Sequence, residues 1–91
     1  ALIKSLSSKV APSQRINAIK PGHIFAEGGI WDKKLKNNPE LVKEMIIHDI
    51  PLLRLGNTDD ITSLIIFLLS NKSSYITGNC FNIDGGLTRA R

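Results

Sequence analysis

By type, the side chains best suited to move protons near neutral pH are His23 and His48. Neither has an acid or a thiol spaced to complete a nucleophilic triad or a metal cluster, so no catalytic residue and no metal site is expected from them. His48 reads as a surface residue. His23 differs because of what precedes it, a short apolar run from Arg15 to Ile24 broken by Pro21-Gly22. Ile16, Ala18 and Ile19 suit a buried strand, whereas Pro21 cannot donate to a ladder and Gly22 permits a tight turn. A strand is therefore predicted from Arg15 to Lys20. Residues after Pro21 then leave the carboxyl end of a strand, where open α/β sheets hold their ligands. The sequence points to a site there without carrying that site's chemistry.

The elements that must position this turn are readable from periodicity and caps. Leu2, Ile3, Leu6 and Val10 recur at helical spacing, predicting an amphipathic helix over residues 1 to about 11 that ends before Pro12. A long irregular crossover, 25–55, follows the Pro-Gly break. Within it Asn38 reads as an N-cap with Pro39 in the first turn, and Leu41, Val42, Met45 and Ile46 give one short helix an apolar stripe. A connection of this length is expected to act as a lid or binding loop. Asn57-Thr58-Asp59-Asp60 opens the next helix with a cap residue and two acids at the positive end of its dipole. Ile61, Leu64, Ile65, Leu68 and Leu69 should face the sheet, and Ile66 and Phe67 should form a second face covered by another subunit. Tyr75 to Gly78 is a turn, Asn79 to Ile83 alternates into a second strand, and Asp84-Gly85-Gly86 ends it. Asp84 and Tyr75 read as turn and strand-end structure. The order implies a parallel strand pair whose sheet needs further strands.

Composition excludes several classes of function. The chain has 91 residues, 42% of them hydrophobic and 22% charged, the profile of one globular unit. Its net charge of +4 is dispersed, with only Lys33, Lys34 and Lys36 clustered, and its few aromatic residues do not alternate with basic ones, so no nucleic-acid partner is expected. The longest apolar run, Leu64 to Leu69, is far short of the roughly 20 residues of a membrane span. A single cysteine, Cys80, allows no internal disulfide; a buried structural thiol in a reducing cytoplasm is expected. The chain starts at Ala1 inside a helical pattern and is read as cut from something longer.

Four segments in register resemble the carboxyl-terminal part of the short-chain dehydrogenase/reductase family. They are Asn17-Ala18-Ile19-Lys20-Pro21-Gly22-His23-Ile24, then Pro51-Leu52-Leu53-Arg54-Leu55-Gly56 leading into Asp60-Ile61, then Tyr75-Ile76-Thr77-Gly78, and Ile83-Asp84-Gly85-Gly86. The resemblance covers nearly the whole chain. It implies an α/β fold, the last portion (1–91) of one Rossmann-like doubly wound parallel sheet, in the order helix, strand, lid helices, helix, strand. It also implies NAD or NADP as cofactor, with Pro21 and Gly22 shaping the nicotinamide pocket and the backbone of Ile24 bonding the carboxamide. His23 and Ala26 lie in the same turn. Ala26 departs from the pattern, since the family often has a Thr there whose hydroxyl contacts the nicotinamide; the lost bond is worth about 0.5–1.5 kcal/mol.

The family's Gly-rich phosphate loop is not found in these residues, and its Tyr with Lys four positions on is not matched, because Tyr75 is followed at that spacing by Asn79. These residues alone should not catalyse hydride transfer, and a Tyr-x-x-x-Lys pair is expected upstream of Ala1. In the crossover, Trp31 and Met45 are the candidate walls for a small-molecule substrate. The first reading is thus part of an oxidoreductase interconverting an alcohol and a carbonyl, forming a homo-oligomer through 57–70 and 79–86. An enoyl-thioester reductase of similar fold and a non-catalytic assembly module are the alternatives.

Overall fold

The computed structural model of the chain describes residues 2–88. Its elements are α1 (Leu2–Val10), β1 (Ala18–Pro21), α2 (Ile30–Asn37), α3 (Pro39–Asp49), α4 (Thr58–Leu69), a short 3₁₀ turn (Asn71–Ser73) and β2 (Cys80–Ile83). The two strands pair in parallel, Ala18 opposite Cys80 through Pro21 opposite Ile83. This is the α/β arrangement expected, with helices between and before the parallel strands.

β1 is displaced from the predicted span, and the reason lies in side chains. Arg15 turns its guanidinium onto the carbonyls of Ser73 (2.9 Å), Ile76 (3.2 Å) and Ser70 (3.3 Å). Ile16 donates its N–H to Thr77 Oγ1, and the Asn17 side chain both donates to the Ile76 carbonyl and accepts the Asn79 N–H. Residues 15–17 thus bond to side chains and a turn rather than to a ladder. At the other end Pro21 belongs to the strand. Ladder donors towards β2 come from Ala18 and, beyond the strand, Gly22 (2.9 Å to the Ile83 carbonyl). With a period of 2, the donor that Pro21 lacks would have faced the opposite edge. β2 starts one residue later than predicted, at Cys80.

The crossover holds two helices, as the family resemblance implied, where periodicity and caps marked one. α2 is illegible in the sequence because its N-cap is Gly29, which offers no capping side chain, and it is short and lysine-rich. What organises its start is Asp32, whose carboxylate accepts the Gly28 N–H at 2.8 Å. α3 begins as predicted, with Asn38 Oδ1 accepting the Leu41 N–H and Pro39 in the first turn. α4 opens with a reciprocal capping box, in which Asn57 and Asp60 each accept the other's backbone N–H.

Several side chains expected to be buried are not covered by these residues. Val42, Ile50 and Leu68 are the buried apolar residues, and Ser73 is buried with its hydroxyl on the Leu68 carbonyl. On α1 the inward position is Ser7, packed against Gly78, while Leu2 and Leu6 are exposed. Leu41 is exposed on α3, whose inward face is Val42 with the half-buried Met45 and Ile46. On α4, Ile65 and Leu69 are exposed along with Ile66 and Phe67, leaving Ile61, Leu64 and Leu68 as the packed stripe. Cys80 is exposed rather than buried, because its face of the two-stranded sheet has no covering layer among the described residues. The radius of gyration is 16.1 Å, where a compact chain of this length has about 12 Å.

Candidate functional site

The segment after β1 is held by a second segment far away in sequence. Gly56 donates its N–H to the His23 carbonyl (3.0 Å) and accepts the Phe25 N–H (2.8 Å), forming an isolated parallel bridge centred on Ile24. In such a bridge the bonds belong to the residues flanking the central one. The N–H and C=O of Ile24 itself therefore take part in no hydrogen bond among the described residues. One free donor and one free acceptor on a single residue at a strand's carboxyl end match a primary carboxamide, which can supply both an acceptor and a donor. The approach is close: a Cβ on Gly56 would lie 2.6 Å from Ile24 Cδ1, and one on Gly22 would lie 2.5 Å from Asp84 Cβ and 2.8 Å from Asp84 Cα.

Around this turn lies a small cavity of about 140 Å³ lined by His23, Ile24, Leu52, Arg54, Gly56, Asp60 and the Ile83–Gly85 end of β2. Arg54 and Asp60 close one side as a two-pronged ion pair, at 2.9 and 3.1 Å. The hydrogen bonds from Arg54, and next the Asn57 N–H, hold the Asp60 carboxyl down at about 2, from an ordinary 3.8. Asp84 ends β2 by accepting the N–H groups of Gly86 (3.0 Å) and Thr88 (2.8 Å), as expected of a turn residue; hydrogen bonding from the Thr88 side chain, and next from these N–H groups, lowers its pKa. Asp32, buried in the first turn of α2, is likewise lowered, mainly by the Gly28 N–H.

Because Asp60 titrates lower in the folded chain than in an unfolded one, its contribution is complete above its ordinary value of 3.8 and is lost as pH falls towards about 2. The expected result is a stability gap between wild type and Asp60→Asn that narrows when urea midpoints are measured at about pH 6 and then at about pH 3. A gap that stays constant would show that the ion pair contributes nothing to that pH dependence.

The predicted site residues are only partly brought together. Pro21, Gly22, His23 and Ile24 are contiguous around the end of β1, and Ala26 follows with its carbonyl accepting the Gly29 N–H at 2.8 Å. Trp31 stacks at a tilt on His23, with ring centroids 4.6 Å apart, and carries Lys34 Nζ 4.5 Å from its ring centroid on α2. Met45 is elsewhere: it shares with Trp31 and Lys34 an open groove of about 590 Å³ between α2 and α3. His48, read as a surface residue, is exposed and edges that groove. Arg54, Asp60 and Lys34 were not singled out beforehand. Asp60 was visible as a cap acid, but nothing local reveals that Arg54 folds back onto it.

Comparison with known proteins gives consistent matches. The family model described as Enoyl-(Acyl carrier protein) reductase matches residues 1–88. Isoepoxydon dehydrogenase patN of Penicillium expansum is 37% identical over 86 residues, 93% of this chain and 33% of its own length. The chain thus spans about a third of the length of the curated relatives it matches. Among solved structures, 4-hydroxyisoleucine dehydrogenase complexed with NADH is 32% identical, with a TM-score of 0.82 over 99% of this chain and 36% of that one. YwfH, an NADPH-dependent reductase involved in bacilysin biosynthesis, is 28% identical, with a TM-score of 0.83 over the same 99% and 36%.

Proposed function

The chain belongs to the short-chain dehydrogenase/reductase family, and from that premise we propose that it is the carboxyl-terminal part of an NAD- or NADP-dependent oxidoreductase that interconverts an alcohol and a carbonyl. The observation carrying this reading is the free N–H and C=O of Ile24, presented by a turn that Gly56 holds from behind. Those groups would receive the nicotinamide carboxamide, and Pro21 and Gly22 would shape the wall beside it. When bound, the dinucleotide carries the hydride that the reaction transfers. Ile24 orients the ring through main-chain bonds that cost no side-chain ordering, and His23, backed by Trp31, excludes water from one side of it.

Residues 25–55 serve as the substrate lid in this reading. The groove shared by Trp31 and Met45 supports that assignment, since it is open and mostly apolar. The exposed apolar residues of α4, Ile66 and Phe67 above all, with β2 and the turn after it (57–70 and 79–86), supply a homo-oligomer surface. A lone exposed thiol, Cys80, fits a reducing cytoplasm. No helix among the described residues is long and apolar enough to cross a membrane.

Titrating the full-length protein with NADH and NADPH, followed by fluorescence, tests the reading. Saturable binding of at least one is expected, and binding of neither would leave the assembly-module alternative. The description of the matching family model favours a second enzyme reading, an enoyl-thioester reductase. A Tyr-x-x-x-Lys pair within about three helical turns before Ala1 is expected for the first reading, and a wider Tyr-Lys separation would select the second. Ala26→Thr provides a gain-of-function check. Restoring a hydroxyl near the carboxamide should tighten dinucleotide binding about two- to tenfold. Unchanged affinity would place residue 26 outside hydrogen-bonding reach of the cofactor.

A further inference from the structure

Four observations converge on the loop between α3 and α4, which sits directly behind the free N–H and C=O of Ile24. Arg54 grips Asp60 through both nitrogens and also donates to the Leu55 carbonyl at 3.1 Å, so the loop closes over Gly56 from both sides. Asp60 in turn accepts the Asn57 N–H at 2.8 Å. Leu53, just before the grip, adopts φ of 60°, a left-handed conformation that is unfavourable for a leucine and persists only where its surroundings enforce it. Leu52 ties the same loop to the end of β2 by donating to the Gly85 carbonyl at 3.0 Å. The loop is therefore pinned by Leu52 on one side of Gly56 and by Asp60 on the other, and Gly56 between them makes the bridge bonds to His23 and Phe25.

We propose that the Arg54–Asp60 ion pair is a positioning clasp for the nicotinamide turn: by fixing Gly56 it sets where the N–H and C=O of Ile24 lie, and so tunes affinity for the nicotinamide end of the dinucleotide without touching it. This rests on the reading that Ile24 receives the carboxamide. The clasp is mechanically direct. A shift of Gly56 moves both backbone bonds that flank Ile24, and the Ile24 side chain is already packed against the Gly56 Cα. Its influence on the adenosine end should be small, because none of the bonds just described reaches beyond the ends of the two strands and the start of α4.

Arg54 is the residue to change, since Asp60 also caps α4 and its loss would confound helix stability with positioning. Full-length wild type, Arg54→Gln and Arg54→Lys are titrated with the reduced dinucleotide that binds more tightly and with the matching ADP-ribose, which lacks nicotinamide. Arg54→Gln should weaken the dinucleotide about fivefold while leaving ADP-ribose within about twofold. Arg54→Lys, which keeps the charge but not the fork, should recover part of the loss. Equal weakening of both ligands, or no change in either, would overturn the clasp and leave an ordinary structural ion pair. Should wild type itself bind ADP-ribose as tightly as the dinucleotide, the nicotinamide turn is what fails, and the clasp goes with it.

Discussion

Replacing Gly22 with valine in the full-length protein is expected to lower its melting temperature and weaken dinucleotide binding together. A Cβ at this position would sit 2.5 Å from Asp84 Cβ and 2.8 Å from Asp84 Cα, and the second of these is backbone that cannot swing aside. The two strands are in register up to Pro21 opposite Ile83, and Gly22 donates to the Ile83 carbonyl at 2.9 Å, so the added side chain wedges their carboxyl ends apart. Overpacking of this kind costs about 1–3 kcal/mol, and more for a branched side chain forced against main chain. At about 2–4 °C per kcal/mol for a domain of 150–250 residues, that corresponds to a fall of roughly 2–12 °C. The displacement passes straight into the site, because the next residues are His23 and Ile24 on one side and the Asp84-anchored turn on the other. A Gly22→Val protein with wild-type melting temperature and affinity would mean that the two turns are not packed as closely as described.

The second large effect is expected at Trp31. Trp31 joins two otherwise separate regions: it stacks on His23 beside Ile24, and it forms one wall of the groove that contains Met45. Truncation to alanine removes an aromatic contact worth about 0.5–1.5 kcal/mol beyond simple burial and a Lys34 cation–π contact worth about 0.5–1 kcal/mol. If α2 and α3 close over substrate, the loss falls on substrate rather than on cofactor. KM should rise about tenfold, with dinucleotide affinity held within about twofold, and Trp31→Phe should restore most of it. A tenfold loss of cofactor affinity with KM unchanged would instead assign Trp31 to the nicotinamide wall. The fluorescence difference between wild type and Trp31→Phe also offers a signal for the lid, read as dinucleotide and then substrate are added.

Sequence and structure divide along a clear physical line. Features that depend on a few consecutive residues were legible: the Asn38 and Asn57 caps, the stop at Pro21-Gly22, the turn at Asp84-Gly85-Gly86 and the parallel order of two strands. Each is fixed by local backbone chemistry, where a side-chain oxygen, a missing N–H or a missing Cβ acts within a turn's reach. Which face of a helix is covered was less legible, since periodicity marks an apolar stripe but not its neighbour. Leu41, Ile65 and Leu69 are apolar on schedule yet exposed among these residues.

The site divides in the same way. The sequence alone determined that residues 21–26 leave a strand's carboxyl end, and the resemblance carried by those residues singled out the Ile24 backbone. Only the tertiary structure decided that the N–H and C=O of this residue stay free, because Gly56 takes the bonds on either side of it. It alone also joined His23 to Trp31 and Arg54 to Asp60. Hydrogen-bond and ion-pair energies depend on distance and angle between groups, and chain spacing sets neither until the backbone between them has a fixed path.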